Sequence, residues 1–600
     1  MKSAVGNRAA RRVAALMLVL AVGMLTACTA NPPPPIESTD SPKTTPAKPT
    51  KSTVVVAVDD IGIGFNPHLR SNQSPATNAV ASMVFPSPFR PVPSPTVPGA
   101  TDWVPDNSLM VSADTPPPDP AQPDKFTITY KIQNQASWSD GAPIAAEDFR
   151  YLWQQMINQP GVVDPAGYRL ITDVASSEGG KAVTVTLSQP YPAWRQLFSD
   201  LLPSHLLKDS PGGFQKALAV ERGLIDQNPI SGGPFRVKQA DAGREEILLE
   251  RNDRYWGTPA VPDQILLRRG GTAAQLAESL RAGDAQMALV HGGVATQAQL
   301  AAIPAVRTAL MPQAREMQLA LNSRNGDLSD ARVRHAVLGL LDPALLASVG
   351  AETGAWVDPV RAQILAPSDP GYTPTAPPRM SSDQAFGLLA EAGFGRAPEQ
   401  PAAGNPTTSP APQPRPLAKN GRTLTIRIGA VDKDPTTLAV ANTAADQLRS
   451  AGIDASVRSL PADELYGKDL TDGTVDAVVG WERAGEDPAT MLASRYGCPP
   501  VAAPGQQDTS QIDAIHKAPG NVSGVCDPSL QPQIDAALRG IDVPKAIGDA
   551  EPKLWDLGTV LPIVQDNGVA AASSRMDGVS LSGSIQVGIF GGAGAWRRLS

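Results

Sequence analysis

Apolar positions recur with two different periods along the chain after residue 52. Residues 53–58 (TVVVAV) form a β-branched run that reads as a first strand. In 126–132, Phe126, Ile128, Tyr130 and Ile132 occupy every second position, which puts them on one face of a half-buried strand. Residues 182–187 read as another strand. Between these two runs the period changes. Over 145–158, Phe149, Leu152, Trp153 and Met156 share a helical stripe, and Glu147 and Asp148 sit in the first turn, where the helix dipole favours acids. Gly232-Gly-Pro-Phe235 opens a hairpin-like pair over 235–239 and 246–250. A helix is predicted over 272–282, closed by Gly283-Asp284 and followed by a strand at 286–290.

The second half repeats the logic. Residues 317–321 read as a strand. Asp330 caps a helix that carries Val333, Val337 and Leu341, and Ser381/Ser382 cap another that Gly393 closes. Leu424, Ile426 and Ile428 alternate in a strand, 436–450 is an amphipathic helix ended by Gly452, and 455–460 is a second strand. This is a β-α-β unit, and such alternation implies a parallel or mixed sheet. Residues 473–480 then echo 283–290, a Gly turn followed by a short acidic-apolar strand. The expected fold class is therefore α/β, built as two related lobes with mixed sheets.

Proline interrupts this pattern. The chain has 60 prolines in 600 residues, about twice ordinary usage. They mark a loop-rich region over 86–123 and an insertion at 397–420. Charged residues make up 18% of the chain and the net charge is −8, so no excess of Lys and Arg exists to neutralise phosphates, and a nucleic-acid partner is not expected.

The N-terminus reads as an address. Lys2, Arg8, Arg11 and Arg12 precede an apolar stretch at 13–25, too short to span a bilayer and suited to a signal sequence. It ends in Leu25-Thr26-Ala27-Cys28, which resembles the bacterial lipobox. The expectation is a lipoprotein signal peptide at 1–27, lipidation of Cys28, and a Pro/Ser/Thr-rich tether at 28–52 that holds the folded body at the outer face of the cytoplasmic membrane. Removing 1–27 takes four basic residues and no acids, so the net charge falls from −8 to −12. Cys498 and Cys526 remain. In an exported protein such a pair reads as a disulfide rather than a metal site, with two free thiols as the alternative.

No catalytic pattern emerges. His68, His205, His291, His335 and His516 are widely spaced, and none stands in a two-ligand motif. No GxSxG, SxxK or GxxxxGK[ST] occurs. Gly62-Ile-Gly64 starts like a dinucleotide fingerprint but lacks its third glycine. Glu486 and Asp487 are paired carboxylates of a kind that serves acid–base chemistry; in an acidic chain they read as solvated surface. The expectation is no enzyme, no cofactor and no metal.

Several blocks resemble one family. The stretch Trp138-Ser-Asp-Gly-Ala-Pro-Ile-Ala-Ala-Glu-Asp148 is similar to the "W-[ST]-DG-x-P" signature of extracellular solute-binding proteins of the oligopeptide/dipeptide type. Gly232-Gly-Pro-Phe-Arg-Val237 with Leu249-Glu-Arg-Asn-Asp-Arg-Tyr-Trp-Gly257 resembles that family's "GPY…L.RN..YWG" block. Leu321-Asn-Ser323 with Asp330-Ala-Arg-Val-Arg-His-Ala336, and Gly480-Trp481 with Asp487-Pro488, resemble two later ones. The resemblance implies a hinged, two-lobed periplasmic-binding-protein fold. Lobe one would span 53–318 with an inserted subdomain at about 86–200, lobe two 319–560, and residues 561–600 would return to lobe one. The hinge is expected near 318–322 and 561–567. Trp138, Asp140, Tyr255 and Trp256 are expected to fix turns in lobe one.

The anchor, tether and insertions are most similar to the actinobacterial branch. The whole chain resembles a lipoprotein of that branch that acts where monoacyl phosphatidylinositol tetramannoside is directed to polar phosphatidylinositol mannosides or to lipomannan and lipoarabinomannan. The implied ligand is that glycolipid. The alternatives are a peptide delivered to an ABC permease, and a scaffold role with a membrane mannosyltransferase. At the cleft, the position three after the "GW" tryptophan is an Asp for the peptide ammonium in oligopeptide binders, and here it is Ala484. An ammonium buried without an acidic partner is costly. Trp481, Glu482 and Arg483 are the candidate ligand residues. Either Arg483 contacts a phosphate and Trp481 stacks on a sugar, or Arg483 faces solvent and Trp481 fills the lobe core.

Overall fold

The computed structural model describes residues 52–116, 124–221, 230–324, 326–351, 357–396, 414–499 and 520–599. The signal peptide, Cys28, the tether up to residue 51, residues 397–413 of the Pro-rich insertion and His516 lie outside them.

The strands that place the site follow the chain as β1 (Thr53–Val58), β2 (Phe89–Pro93), β3 (Thr101–Pro105), β4 (Met110–Asp114), β5 (Phe126–Ile132), β6 (Ile171–Ser177), β7 (Ala182–Leu187), β8 (Phe235–Asp241), β9 (Glu246–Arg251) and β10 (Gln264–Arg269). They continue as β11 (Met287–His291), β12 (Val306–Leu321), β13 (Thr425–Val431), β14 (Asp454–Leu460), β15 (Ala477–Arg483) and β16 (Val560–Ser573). One large sheet runs in the order β14-β13-β15-β12-β16-β11-β1-β10-β9-β8. It is mixed: β1 pairs parallel with β10 and β11, and β13 pairs parallel with β14 and β15. The pairings of β12 with β15 and β16 are antiparallel. β4-β5-β7-β6 form a separate antiparallel sheet, and β2 and β3 form a two-stranded ribbon beside it.

Local sequence accounts for the elements. The helix Ala273–Ala282 starts at Thr272, whose hydroxyl accepts the Gln275 N–H while the Gln275 side chain returns to the Thr272 N–H. Gly283 ends it at φ 78, a left-handed conformation that costs a glycine little. In the β-α-β unit, Pro435 takes the first helical position and Asp434 accepts the Thr436 and Thr437 N–H groups.

Burial separates two main cores. The first gathers Val54, Val56, Tyr130, Phe149, Phe235 and Leu267 with the C-terminal Phe590 and Trp596. The second gathers Met317, Leu319, Val337, Ile428, Val440, Val479 and Ile563. β12 and β16 pass between them. Each is apolar at both ends and polar in its middle, with Gln313, Arg315 and Glu316 on one strand and Gln565, Asp566 and Asn567 on the other. There the ladder slips: Pro312 pairs with Asn567 and Glu316 with Gln565, so three residues of β12 oppose Asp566 alone. A second shift falls between Met317 and Gln318. The main irregularity thus lies a few residues before the 318–322 stretch expected from the sequence. The lobes touch where they face each other. The first core continues across the gap to Tyr466, Met491, Leu492 and Tyr496.

Candidate ligand-binding site

Two short segments meet where the lobes face each other. From lobe one comes the stretch before the helix Pro75–Val84, which Ser74 caps by accepting the Thr77 N–H. From lobe two come the end of β15 and the helix Pro488–Tyr496, capped by Asp487 through Thr490 N (2.8 Å). Gly485 makes the turn between them at φ +81; a Cβ there would stand 2.5 Å from Ile585, so both conformation and space call for glycine.

Charged side chains cross the interface in pairs. Arg70 Nε lies between the two oxygens of Glu482 (3.0 and 3.1 Å), with both side chains almost wholly buried, and Gln318 Nε2 donates to Oε1 of the same carboxylate (3.1 Å). Arg70 Nη2 also donates to the Gly520 carbonyl (2.9 Å). Arg483 donates to the Pro67 carbonyl and to Gln73 Oε1. Arg495 pairs with Glu316 (2.7 Å), donates to the Arg483 carbonyl (2.6 Å) and stands 3.7 Å from Asp164. Burial raises the Glu482 pKa against the opposing pull of Arg70 and Arg495, and raises that of Glu316 to about 7 against Arg495.

The polar waist between the two cores forms a second chain of charges. Asp566 accepts from Arg315 Nε (2.6 Å) and lies 2.6 Å from His291 Nε2. Asp59 accepts the His291 backbone N–H. The Arg315 guanidinium lies 4.0 Å from the centre of the Trp481 ring, and Trp481 Nε1 donates to Asp434 (2.9 Å). Burial opposes charge on Asp566, yet Arg315 and His291 hold its carboxyl well below the ordinary range. Burial likewise opposes charge on His291, and Asp566 and Asp59 overcome it to raise the imidazole well above its usual value.

Beside Arg483 lies a cavity of about 180 Å³. Its walls include Asp164, Asp200, Glu486, Arg90, Trp103, Tyr168 and Tyr191, with the C-terminal Gln586 and Val587. Arg90 is bound to Asp106. With its amide turned by half a rotation, the Gln196 nitrogen donates to Glu486 (3.2 Å) and its oxygen accepts from Trp103 Nε1 (3.2 Å). Burial pushes the Glu486 carboxyl up to about 7 against Arg483, and raises Asp200 against Arg483 and Arg90. Burial lowers the His68 pKa to about 3, so its ring is neutral and donates through Nε2 to the Asp200 carbonyl (3.0 Å). Farther along the interface is a groove of about 1,010 Å³. Two exposed ion pairs span it, Lys216–Asp463 (2.9 Å) and Glu221–Lys433 (2.6 Å).

The three candidate ligand residues have different places. Trp481 is packed in the second core, with Arg315 over its ring. Glu482 is consumed by Arg70 and Gln318. Of the three, only Arg483 lines the cavity, and it faces lobe one rather than solvent because the Pro67 carbonyl and Gln73 take its donors. Ala484 is buried and donates its N–H to the Ala314 carbonyl (3.1 Å). The reading of Glu486 and Asp487 as solvated is corrected: Glu486 forms a cavity wall with its side chain 10% exposed, and Asp487 caps a helix. Asp164, Asp200 and Tyr168 were not singled out, and no local motif marks them. Cys498 and Cys526 are joined by a disulfide, with Cα atoms 5.0 Å apart. Trp138, wholly buried, donates to Asp148; Asp140 accepts the Ala142 N–H, and Tyr255 and Trp256 both bond to Ser108.

The family model described as "Bacterial extracellular solute-binding proteins, family 5 Middle" matches residues 113–502. A curated relative from Mycobacterium tuberculosis (strain CDC 1551 / Oshkosh), named probable monoacyl phosphatidylinositol tetramannoside-binding protein LpqW, is 49% identical over 97% of each chain. The oligopeptide-binding protein OppA of Mycobacterium bovis is 25% identical over 76% of this chain and 72% of its own. Among solved structures, the oligopeptide-binding protein of Thermus thermophilus with a pentapeptide matches at TM-score 0.66, with 16% identity over 91% of this chain and 96% of that one.

Proposed function

Because the chain belongs to the bacterial extracellular solute-binding proteins of family 5, we propose that it is a non-catalytic envelope lipoprotein that holds a mannosylated phosphoinositide between its lobes. In this reading Cys28 carries the lipid anchor, and the body faces the outer side of the cytoplasmic membrane. The protein binds monoacyl phosphatidylinositol tetramannoside and regulates its partition between polar mannosides and lipomannan/lipoarabinomannan synthesis. The observation that carries the reading is the near full-length 49% identity to a protein named for that ligand. The site agrees with it. An uncharged Ala484 stands where a peptide binder would need an acid, and the cavity beside it is lined by aromatic rings together with charged side chains. The anchor supports a lipid ligand, since the body and an acylated ligand would share one membrane surface. A membrane mannosyltransferase is the partner class this role requires.

Calorimetric titration of the purified full-length lipoprotein with monoacyl phosphatidylinositol tetramannoside tests the reading. Saturable binding is expected, and its absence at high micromolar ligand would remove it. The second reading, a peptide receptor for an ABC permease, draws on the 25% identity to OppA. It expects peptides to co-purify and to be visible by native mass spectrometry.

A further inference from the structure

Two guanidinium groups stand in the walls of the 180 Å³ cavity, and only Arg483 lacks a carboxylate at hydrogen-bond distance. Its Nε donates to Gln73 Oε1 (3.3 Å) and its Nη2 to the Pro67 carbonyl, both uncharged acceptors. Its Nη1 donates to nothing among the described residues. That nitrogen is not sealed off, since the side chain is 22% exposed. The nearest acid to it, Glu486, stands 3.8 Å away, beyond hydrogen-bond reach. Asn78 places a side-chain amide in the same wall.

The other charges largely cancel. Arg90 is bound to Asp106, and Asp164 faces Arg495 (3.7 Å) with both of its oxygens shielded from solvent. Two acids remain to set against Arg483: Asp200 from lobe one and Glu486 from lobe two. Burial raises both, Glu486 to about 7, so that carboxyl gains or loses a proton near neutrality. Facing Glu486 are Arg483 and Asp487 from its own segment, Asp164 and Tyr168 from one stretch of lobe one, and Tyr191 and Asp200 from another. A charged Glu486 competes with an incoming anion for the Arg483 Nη1. A neutral Glu486 leaves that nitrogen free, and a guanidinium–oxyanion bond is among the stronger contacts a protein makes. Size then limits the guest. A cavity of about 150 Å³ takes one six-membered ring, so 180 Å³ has room for a phosphodiester group and not for an inositol carrying a glycan.

We propose that this cavity is a proton-coupled anion site, in which the phosphodiester of the ligand's headgroup accepts from Arg483 Nη1 while Glu486 takes up one proton from solvent. Inositol, glycan and acyl chains remain outside. The anion site stands on the cavity itself; that its guest is a lipid phosphodiester rests on the glycolipid reading given above.

Phosphorus NMR titration of the full-length lipoprotein in a polyoxyethylene detergent tests it. The probes are dimethyl phosphate, a bare diester anion, and glycerophosphoinositol, the deacylated headgroup; neither changes charge between pH 6 and pH 8. Both should bind the wild type, about ten-fold more weakly at pH 8 than at pH 6, because the protonated fraction of a carboxyl with a pKa of about 7 falls by that factor. Arg483→Met should weaken both at pH 6 by at least about ten-fold, the loss of a hydrogen bond between charged partners. Glu486→Gln should bind as the wild type does at pH 6 and keep that affinity at pH 8. Melting temperatures close to wild type establish that the variants fold; should Arg483→Met unfold, the pH profile of Glu486→Gln decides. No diester binding by the wild type would overturn the proposal. So would equal binding in folded Arg483→Met, or a Glu486→Gln profile as steep as that of the wild type. Methyl α-D-mannopyranoside is the neutral probe, and its displacing the diesters would also count against an anion site. Titration with the tetramannoside separates the two readings. Tetramannoside binding that ignores both substitutions sinks the anion site alone. Arg483-dependent diester binding without tetramannoside binding keeps the anion site and sinks the glycolipid assignment.

Discussion

The waist around Asp566 and the cavity around Asp164 are both buried and both acidic, yet they end in different states. Asp566 is met by Arg315 and His291 at 2.6 Å each, and its carboxyl stays charged despite burial. Asp164 has no donor, and Glu486 nearby is raised to about 7 by the same burial. The first set of charges is completed by the chain itself and ties β12, β16 and β11 together. The second is left incomplete. A buried acid that takes hydrogen bonds from within ties strands together, and one held only by a guanidinium 3.7 Å away does not.

The largest contrast should come from removing the two acids. Asp566→Ala leaves Arg315 and His291 buried without their partner, and breaking such a pair costs about 3–5 kcal/mol. Asp164→Asn removes one ionic partner of the buried Arg495 but leaves its pair with Glu316, so the loss should be the smaller of the two. Urea denaturation of both variants checks this. A comparable loss at Asp164 would erase the distinction.

The pH dependence should differ next. An acid whose pKa rises on folding holds an extra proton in the folded state, so stability falls as pH rises from the ordinary value toward the raised one. For Glu316 and Glu486 that window runs from 4.5 to about 7. The effect should reach about 3 kcal/mol for each of them. Asp566 has the opposite sign. Its contribution is present above its ordinary value of 3.8 and fades only in stronger acid. His291 contributes below 6.5, and its share is lost only as pH climbs through its raised pKa. Melting curves from pH 4 to 8 should therefore decline toward neutrality in the wild type, and flatten in Glu316→Gln/Glu486→Gln.

The smallest effect belongs to the groove. Exposed ion pairs contribute about 0–1 kcal/mol and weaken with salt. A double-mutant cycle on Lys216 and Asp463, read by urea denaturation, should give a coupling within that range that vanishes at high ionic strength. A coupling several times larger, or one indifferent to salt, would place the groove with the waist rather than with the surface.

Much of the framework was legible in the sequence because it depends on neighbours a few positions apart. The β-branched run in 53–58, the alternation in 126–132, the stripe through Phe149 and Met156, and the β-α-β pattern after Leu424 each specify an element locally. The site depends on distant pairs. Arg70 meets Glu482 across 412 residues, and Asp164, Asp200 and Glu486 come from three unrelated turns. No periodicity encodes such meetings. Trp481, Glu482 and Arg483 stood out because they follow a recognisable block, but closure of the lobes spends two of them on bonds within the protein. Glu486 was visible as one of a carboxylate pair. Its burial was not, because it depends on Gln196, Trp103 and the C-terminal segment arriving from far along the chain.

The two bridges across the groove have opposite polarity: lobe one offers a cation at Lys216 and an anion at Glu221, and lobe two answers with Asp463 and Lys433. Such a layout works like a keyed connector. If one half slid along the other by the spacing of the bridges, Lys216 would meet Lys433 for a slide one way and Glu221 would meet Asp463 for a slide the other way, and either encounter repels. The right alignment gains little from these surface charges, but one step out of place is penalised, so the pairs act on registration more than on stability.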